Sequence, residues 1–214
     1  MRSSALGLAE RGEREYFAKC MLQRRLSPPI SLLALLVLVG ALAGCGSSGR
    51  EYKGHGISFR YPSDWAPAES RGVKVKTSNG LWTEMFSPTA AAKDPASTTA
   101  DIVFLTEFRT PVAITKTYLA ASVDSITASV AQVAQKAGGS LLAGPTEVTM
   151  GGLPGYEYRI SAKTVRNRKS ASRLVVVWNG KTEYSLNCQH LVGGTRAVVI
   201  ERGCKMIVDS FKLS

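Results

Sequence analysis

An apolar run of 13 residues, Ile30–Leu42, stops at a lone cysteine, Cys45, and gives way to Gly46-Ser47-Ser48-Gly49. As a helix it would measure about 20 Å, short of the roughly 30 Å hydrocarbon core of a bilayer. It follows a positive start at Arg24-Arg25 and ends in small residues, the order of a secretory signal. The run therefore belongs to targeting and not to a core. The fold has to come from the 164 residues after Arg50, enough chain to bury roughly 70% of its unfolded surface.

The end of the run, Leu42-Ala43-Gly44-Cys45, resembles the lipobox of bacterial lipoproteins. The resemblance implies that the Cys45 thiol receives a diacylglyceryl group and that cleavage after Gly44 makes Cys45 the new N-terminus. Two acyl chains hold a protein on a bilayer far better than one, at about 0.8 kcal/mol per buried CH₂. The chain then divides into four parts. Residues 1–20, charged with both signs, read as an upstream start-site error, and residues 21–44 as the signal peptide. Residues 45–50 form a flexible tether and residues 51–214 the globular domain. The expected location is the extracytoplasmic face of the cell membrane, a compartment that permits disulfides.

Within the domain, Ile57, Phe59 and Tyr61 alternate with polar residues and predict a half-buried strand. Further strands are expected at Val73–Thr77, Leu81–Phe86 and Ile102–Phe108. Leu119, Val123, Ile126, Val130 and Val133 recur at spacings of 4 and 3, one apolar stripe of a helix that Gly138-Gly139 stops. A meander follows: a strand over Leu141–Met150, the turn of Gly-Gly-Leu-Pro-Gly, and a strand through Tyr156, Tyr158 and Ile160. Next comes the β-branched run before Trp178. Asn179-Gly180 signals a hairpin, and Tyr184, Leu186 and Cys188 share one face of the returning strand. The end reads as a short helix with Ile200, Cys204 and Val208 on one side, although Gly203 weakens it. These elements make an α+β domain with one mainly antiparallel sheet and helices against it.

Four stretches, GISFRYPSDW, GGLPGYEYRI, EYSLNC and IVDSF, resemble the PsbP-like domains of actinobacterial surface lipoproteins. The resemblance covers about residues 51–214 and implies an α/β/α sandwich that works by binding or as an assembly factor. It transfers no active-site residues.

Cys188 and Cys204 are the expected disulfide. Both fall on core-facing positions, and after acylation of Cys45 they are the thiols left to the exported chain. Cys188-Gln189-His190 would need two further ligands to hold a metal, and the bridge uses its thiol, so no metal or cofactor is expected. No G-x-S-x-G occurs, no P-loop or G-x-G-x-x-G follows a strand, and the carboxylates have no paired spacing. An enzyme is the third reading, after a binding or assembly role and a carrier of a small apolar ligand held between sheet and helix. From Cys45 onward 21 basic and 13 acidic residues leave a net charge of +8, which favours anionic surfaces. Lys163, Arg166, Arg168, Lys169 and Arg173, with no acid among them, form a basic loop suited to lipid headgroups or an acidic envelope polymer. The expected partners are the bilayer, through acylated Cys45, and an envelope protein or anionic envelope component. Nucleic acid is disfavoured by compartment.

Overall fold

A computed structural model describes residues 49–67, 82–89, 100–164 and 167–214. The expected strand at Val73–Thr77 lies outside these residues, as do the signal segment and Cys45.

Strands β1 (Gly49–Gly54) and β2 (Ile57–Pro62) pair antiparallel, and β9 (Lys212–Leu213) adds to the far edge of β2. His55 and Gly56 join the first two with φ of 53° and 71°, the pair of positive values that lets a two-residue turn follow strand twist. Gly49 and Arg50, read above as tether, therefore begin a strand. The second sheet has the order β3-β4-β5-β8-β7-β6. It comprises β3 (Trp65–Pro67), β4 (Trp82–Pro88), β5 (Ile102–Ile114), β6 (Leu141–Met150), β7 (Leu153–Lys163) and β8 (Lys169–Leu191). Its strand pairs are antiparallel. The expectation of one sheet is thus corrected to two, because the β1–β2 hairpin pairs with the chain end and not with the larger sheet.

β8 is two arms. Lys169–Val177 pairs with β7, and Gly180–Gln189 pairs with β5. In an unbent strand, positions five apart lie about 16 Å away on opposite faces. Here Trp178 Nε1 donates to Glu183 Oε2 at 3.1 Å, so the chain doubles back at Asn179-Gly180, as the dipeptide predicts. Gly180 takes φ 60°.

Helix α1 (Lys116–Lys136) starts at Thr115, whose hydroxyl accepts the Tyr118 N–H at 3.1 Å. Such a cap contributes about 1 kcal/mol. Leu119 is buried, and Val123, Ile126 and Val130 are packed beneath α1 with Tyr156, Tyr158, Ile160, Val176 and Trp178. The stripe then continues by a step of four to Ala134, which is fully buried, while Val133 is 61% exposed. Helix α2 (Ala197–Ser210) buries Ile200, Gly203, Cys204, Ile207 and Val208. Its neighbours form a second cluster with Phe59, Trp65, Val175, Val177, Tyr184 and Leu186. Alternate residues of one strand point to opposite faces, so Val175 and Val177 meet α2 while Val176 and Trp178 meet α1. Asp101, buried at the start of β5, accepts the Leu191 N–H at 3.0 Å and lies 3.7 Å from Arg196. It ties the ends of β5 and β8 to the approach to α2.

Candidate functional site

α1 rests on β6 and β7 and stops short of β5 and the second arm of β8. Beyond its edge lies a cleft of about 540 Å³, within the usual size of a small-molecule site. Ile126, Ser129, Val130 and Val133 of α1 form one wall. Leu174, Val176 and Trp178 of the first β8 arm continue it from below. The floor is three cross-strand pairs of β5 and the second arm: Phe104 with Asn187, Thr106 with Ser185, and Phe108 with Glu183. Neighbours on one face of a ladder stand about 5 Å apart, so apolar rings and polar groups alternate along the floor. Val133, which leaves the core stripe, is exposed into this cleft.

Two floor groups are chemically unusual. Asn187 Oδ1 is buried and has no hydrogen-bond partner among the described residues, a state that costs about 1–3 kcal/mol. Burial pushes the Glu183 carboxyl above its ordinary range, and the Trp178 N–H opposes that push only in part. A carboxyl raised in the fold favours its neutral form there. Its stabilisation is full below the unfolded value near 4.5 and is lost as pH rises through the native value. Glu183→Gln, which keeps the acceptor for Trp178, is therefore expected to be more stable than the parent protein at pH 7. The difference should close below pH 4.5 in paired denaturation series. A constant difference across that range would refute the assignment.

A second hollow of about 530 Å³ lies at the start of α1, between Lys116, Leu119, Glu147, Thr149 and Tyr156. Two opposite charges, Lys116 and Glu147, line it beside Ala120, Val148 and Pro154.

The profile of a family described as PsbP-like protein matches residues 46–213. The chain belongs to the PsbP-like family. No curated protein matches it. Cyanobacterial PsbP (CyanoP) from Synechocystis sp. PCC 6803 is similar at 18% identity and TM-score 0.50, over 82% of this chain and 99% of that one. LpqN of Mycobacterium tuberculosis, described as involved in cell envelope biogenesis, aligns at 14% identity and TM-score 0.43, over 78% and 86%. A Bacteroides thetaiotaomicron VPI-5482 protein aligns at 14% identity and TM-score 0.42 over 78% of this chain, which spans about half (48%) of that protein's length. The likeness to CyanoP is one of fold, mixed α+β with mostly antiparallel sheets and, among the described residues, two helices.

In this PsbP-like domain Cys188 and Cys204 are joined, with Cα atoms 6.0 Å apart. The basic loop is only partly assembled. Lys163, Arg168 and Lys169 are exposed at the β7–β8 connection, and Arg166 lies outside the described residues. Arg173 does not fan out with them. It sits on the first arm of β8 with its guanidinium 2.6 Å from Glu157 Oε2, and Glu157 also faces Arg159, which reaches Glu201 of α2. Glu157, 16 positions earlier, is reached only through the β7–β8 ladder, which sequence spacing does not reveal. His55 stacks on Trp82 and lies 3.5 Å from Glu84, while His190 sits beside the Leu191 carbonyl. The cleft floor escaped sequence reading, because Glu183, Ser185 and Asn187 look like the wet side of an alternating strand.

Proposed function

We propose that the chain is a lipid-anchored extracytoplasmic protein whose domain, an α/β/α sandwich, works by binding and not by catalysis. Residues 21–44 direct export, Cys45 carries the diacylglyceryl anchor, and the domain meets a component of the cell envelope. The observation that supports a binding role is the cleft beside α1. Its walls are apolar, and its lining among the described residues contains one titratable group, Glu183. General acid–base chemistry at such a site would ask for a second positioned group. The apolar rings and branched side chains lining the cleft favour the carrier reading over a purely protein-binding one, because they suit a ligand with an apolar body. Neither metal, cofactor nor nucleic acid enters this reading.

The probe that tests it is N-phenyl-1-naphthylamine, an uncharged aromatic with a single N–H. It is expected to bind saturably, one per chain, with fluorescence gain. Ser129→Trp, which fills the wall, should weaken it about tenfold or more, a loss of roughly 1.4 kcal/mol. Binding that is absent, or indifferent to that substitution, would refute the site. The anchor has its own test. Cys45→Ala should leave the precursor unprocessed or release the protein from the membrane fraction, and normal processing with unchanged attachment would refute it.

A further inference from the structure

We infer that the outward stripe of α2, together with the start of β1 and Arg60 of β2, is a docking surface for an anionic bilayer. This rests on the anchor at Cys45 proposed above. Only residues 46–48 separate Cys45 from β1, and four chain steps reach at most about 14 Å even when fully extended. Whatever surrounds Gly49 is therefore held against the membrane surface. A Cβ placed on Gly49 would lie 3.1 Å from Met206 Sδ and 3.4 Å from Arg60 Nε, so α2 runs past this point.

Residues at spacings of three and four share one side of a helix. Val198, Arg202 and Met206 follow that spacing toward Gly49, with Val199 beside them. Val198 is 67% exposed and Val199 37%, two apolar side chains at the start of a helix whose opposite side is buried. Arg60 and Arg202 are exposed and belong to no ion pair among the described residues. The acids beside them are already engaged: Glu51 by Lys53 at 3.1 Å, Asp209 by Lys205 at 2.7 Å. The guanidiniums of Arg60, beside the end of this stripe, and of Arg202 within it suit phosphate headgroups, and the two valines at its start suit the acyl boundary beneath them. With α2 on the bilayer, the cleft beside α1 opens away from it, so its ligand arrives from the aqueous side.

The test uses the acylated full chain, purified from membranes and placed in phosphatidylcholine vesicles with or without one-third phosphatidylglycerol. Hydroxyl-radical labelling of side chains is read by mass spectrometry. Labelling of Val198, Val199 and Met206 should fall roughly fivefold on the anionic vesicles, the effect of about one arginine at a charged surface. Tyr118 and Leu142, exposed elsewhere, should not change. The double variant Arg60→Glu, Arg202→Glu should return α2 labelling to its level on neutral vesicles. If Cys45 carries its lipid by intact mass and α2 is labelled equally on both vesicles, docking fails while the anchor stands. Protection confined to the Lys163–Lys169 connection would also overturn it. An unmodified Cys45 in the native protein overturns the anchor, and the docking surface with it.

Discussion

Replacing both Cys188 and Cys204 with alanine is expected to lower stability by about 3 kcal/mol and the melting temperature by roughly 6–12 °C. The two residues are 16 positions apart and both are fully buried. One sits on the second arm of β8, the other midway along α2. The bridge is thus a covalent link between the large sheet and the helix that leads into β9, the edge of the small sheet. In the chain-entropy account the cost of its loss lies in the freed unfolded chain, and two truncated side chains in the core add to it. The double variant avoids a lone buried thiol. Peptide mapping without reductant should recover the two cysteines together, and alkylation should reach them only after unfolding and reduction. A double variant that melts within a degree of the parent would show that packing alone holds α2. A bridged pair fits an exported chain, since reducing cytoplasm keeps thiols apart.

That bridge was legible because its two ends obey two periods. Cys188 follows Tyr184 and Leu186 at the strand period of two, and Cys204 follows Ile200 at the helical step of four. Wherever burial runs along one face of one element, the residues announce it, as they do for most of α1. β1 was missed for the opposite reason. In Gly49–Gly54 only Tyr52 is apolar enough to register. The strand exists because β2 supplies its ladder and because Tyr52 stacks on Phe59 with ring centroids 4.8 Å apart. Val133 misled because a step of three and a step of four both continue a helical stripe, and only the edge of the sheet beneath decides which residue is covered. The cleft has the same origin. It depends on where α1 ends sideways across the sheet, a distance between elements that no periodicity in either one encodes.

The last expectation turns on Gly203, the residue that weakened the sequence case for α2. Gly203→Ala is expected to destabilise the domain by about 2–3 kcal/mol, although alanine is the better helix former. The new Cβ would fall 2.2 Å from Cη2 and 2.3 Å from Cζ2 of Trp65, far inside van der Waals contact. Trp65 is fully buried in the cluster beneath α2, so its ring has nowhere to retreat. Trp65→Ala alone should cost about 3–5 kcal/mol. The two changes share a contact and cannot add. Once the ring is gone the clash is gone, and Gly203→Ala should then stabilise by about 0.5–1 kcal/mol through helix propensity alone. Urea titrations of the four proteins in the cycle read this reversal of sign. Equal destabilisation by Gly203→Ala in both backgrounds would mean that the ring is not what excludes a side chain there. The contact also seats α2 one turn from Met206, so a helix lifted off Trp65 would carry Val198 and Arg202 with it. In the acylated protein Gly203→Ala should therefore weaken the labelling protection on anionic vesicles, while a bilayer contact independent of α2 would leave that protection unchanged.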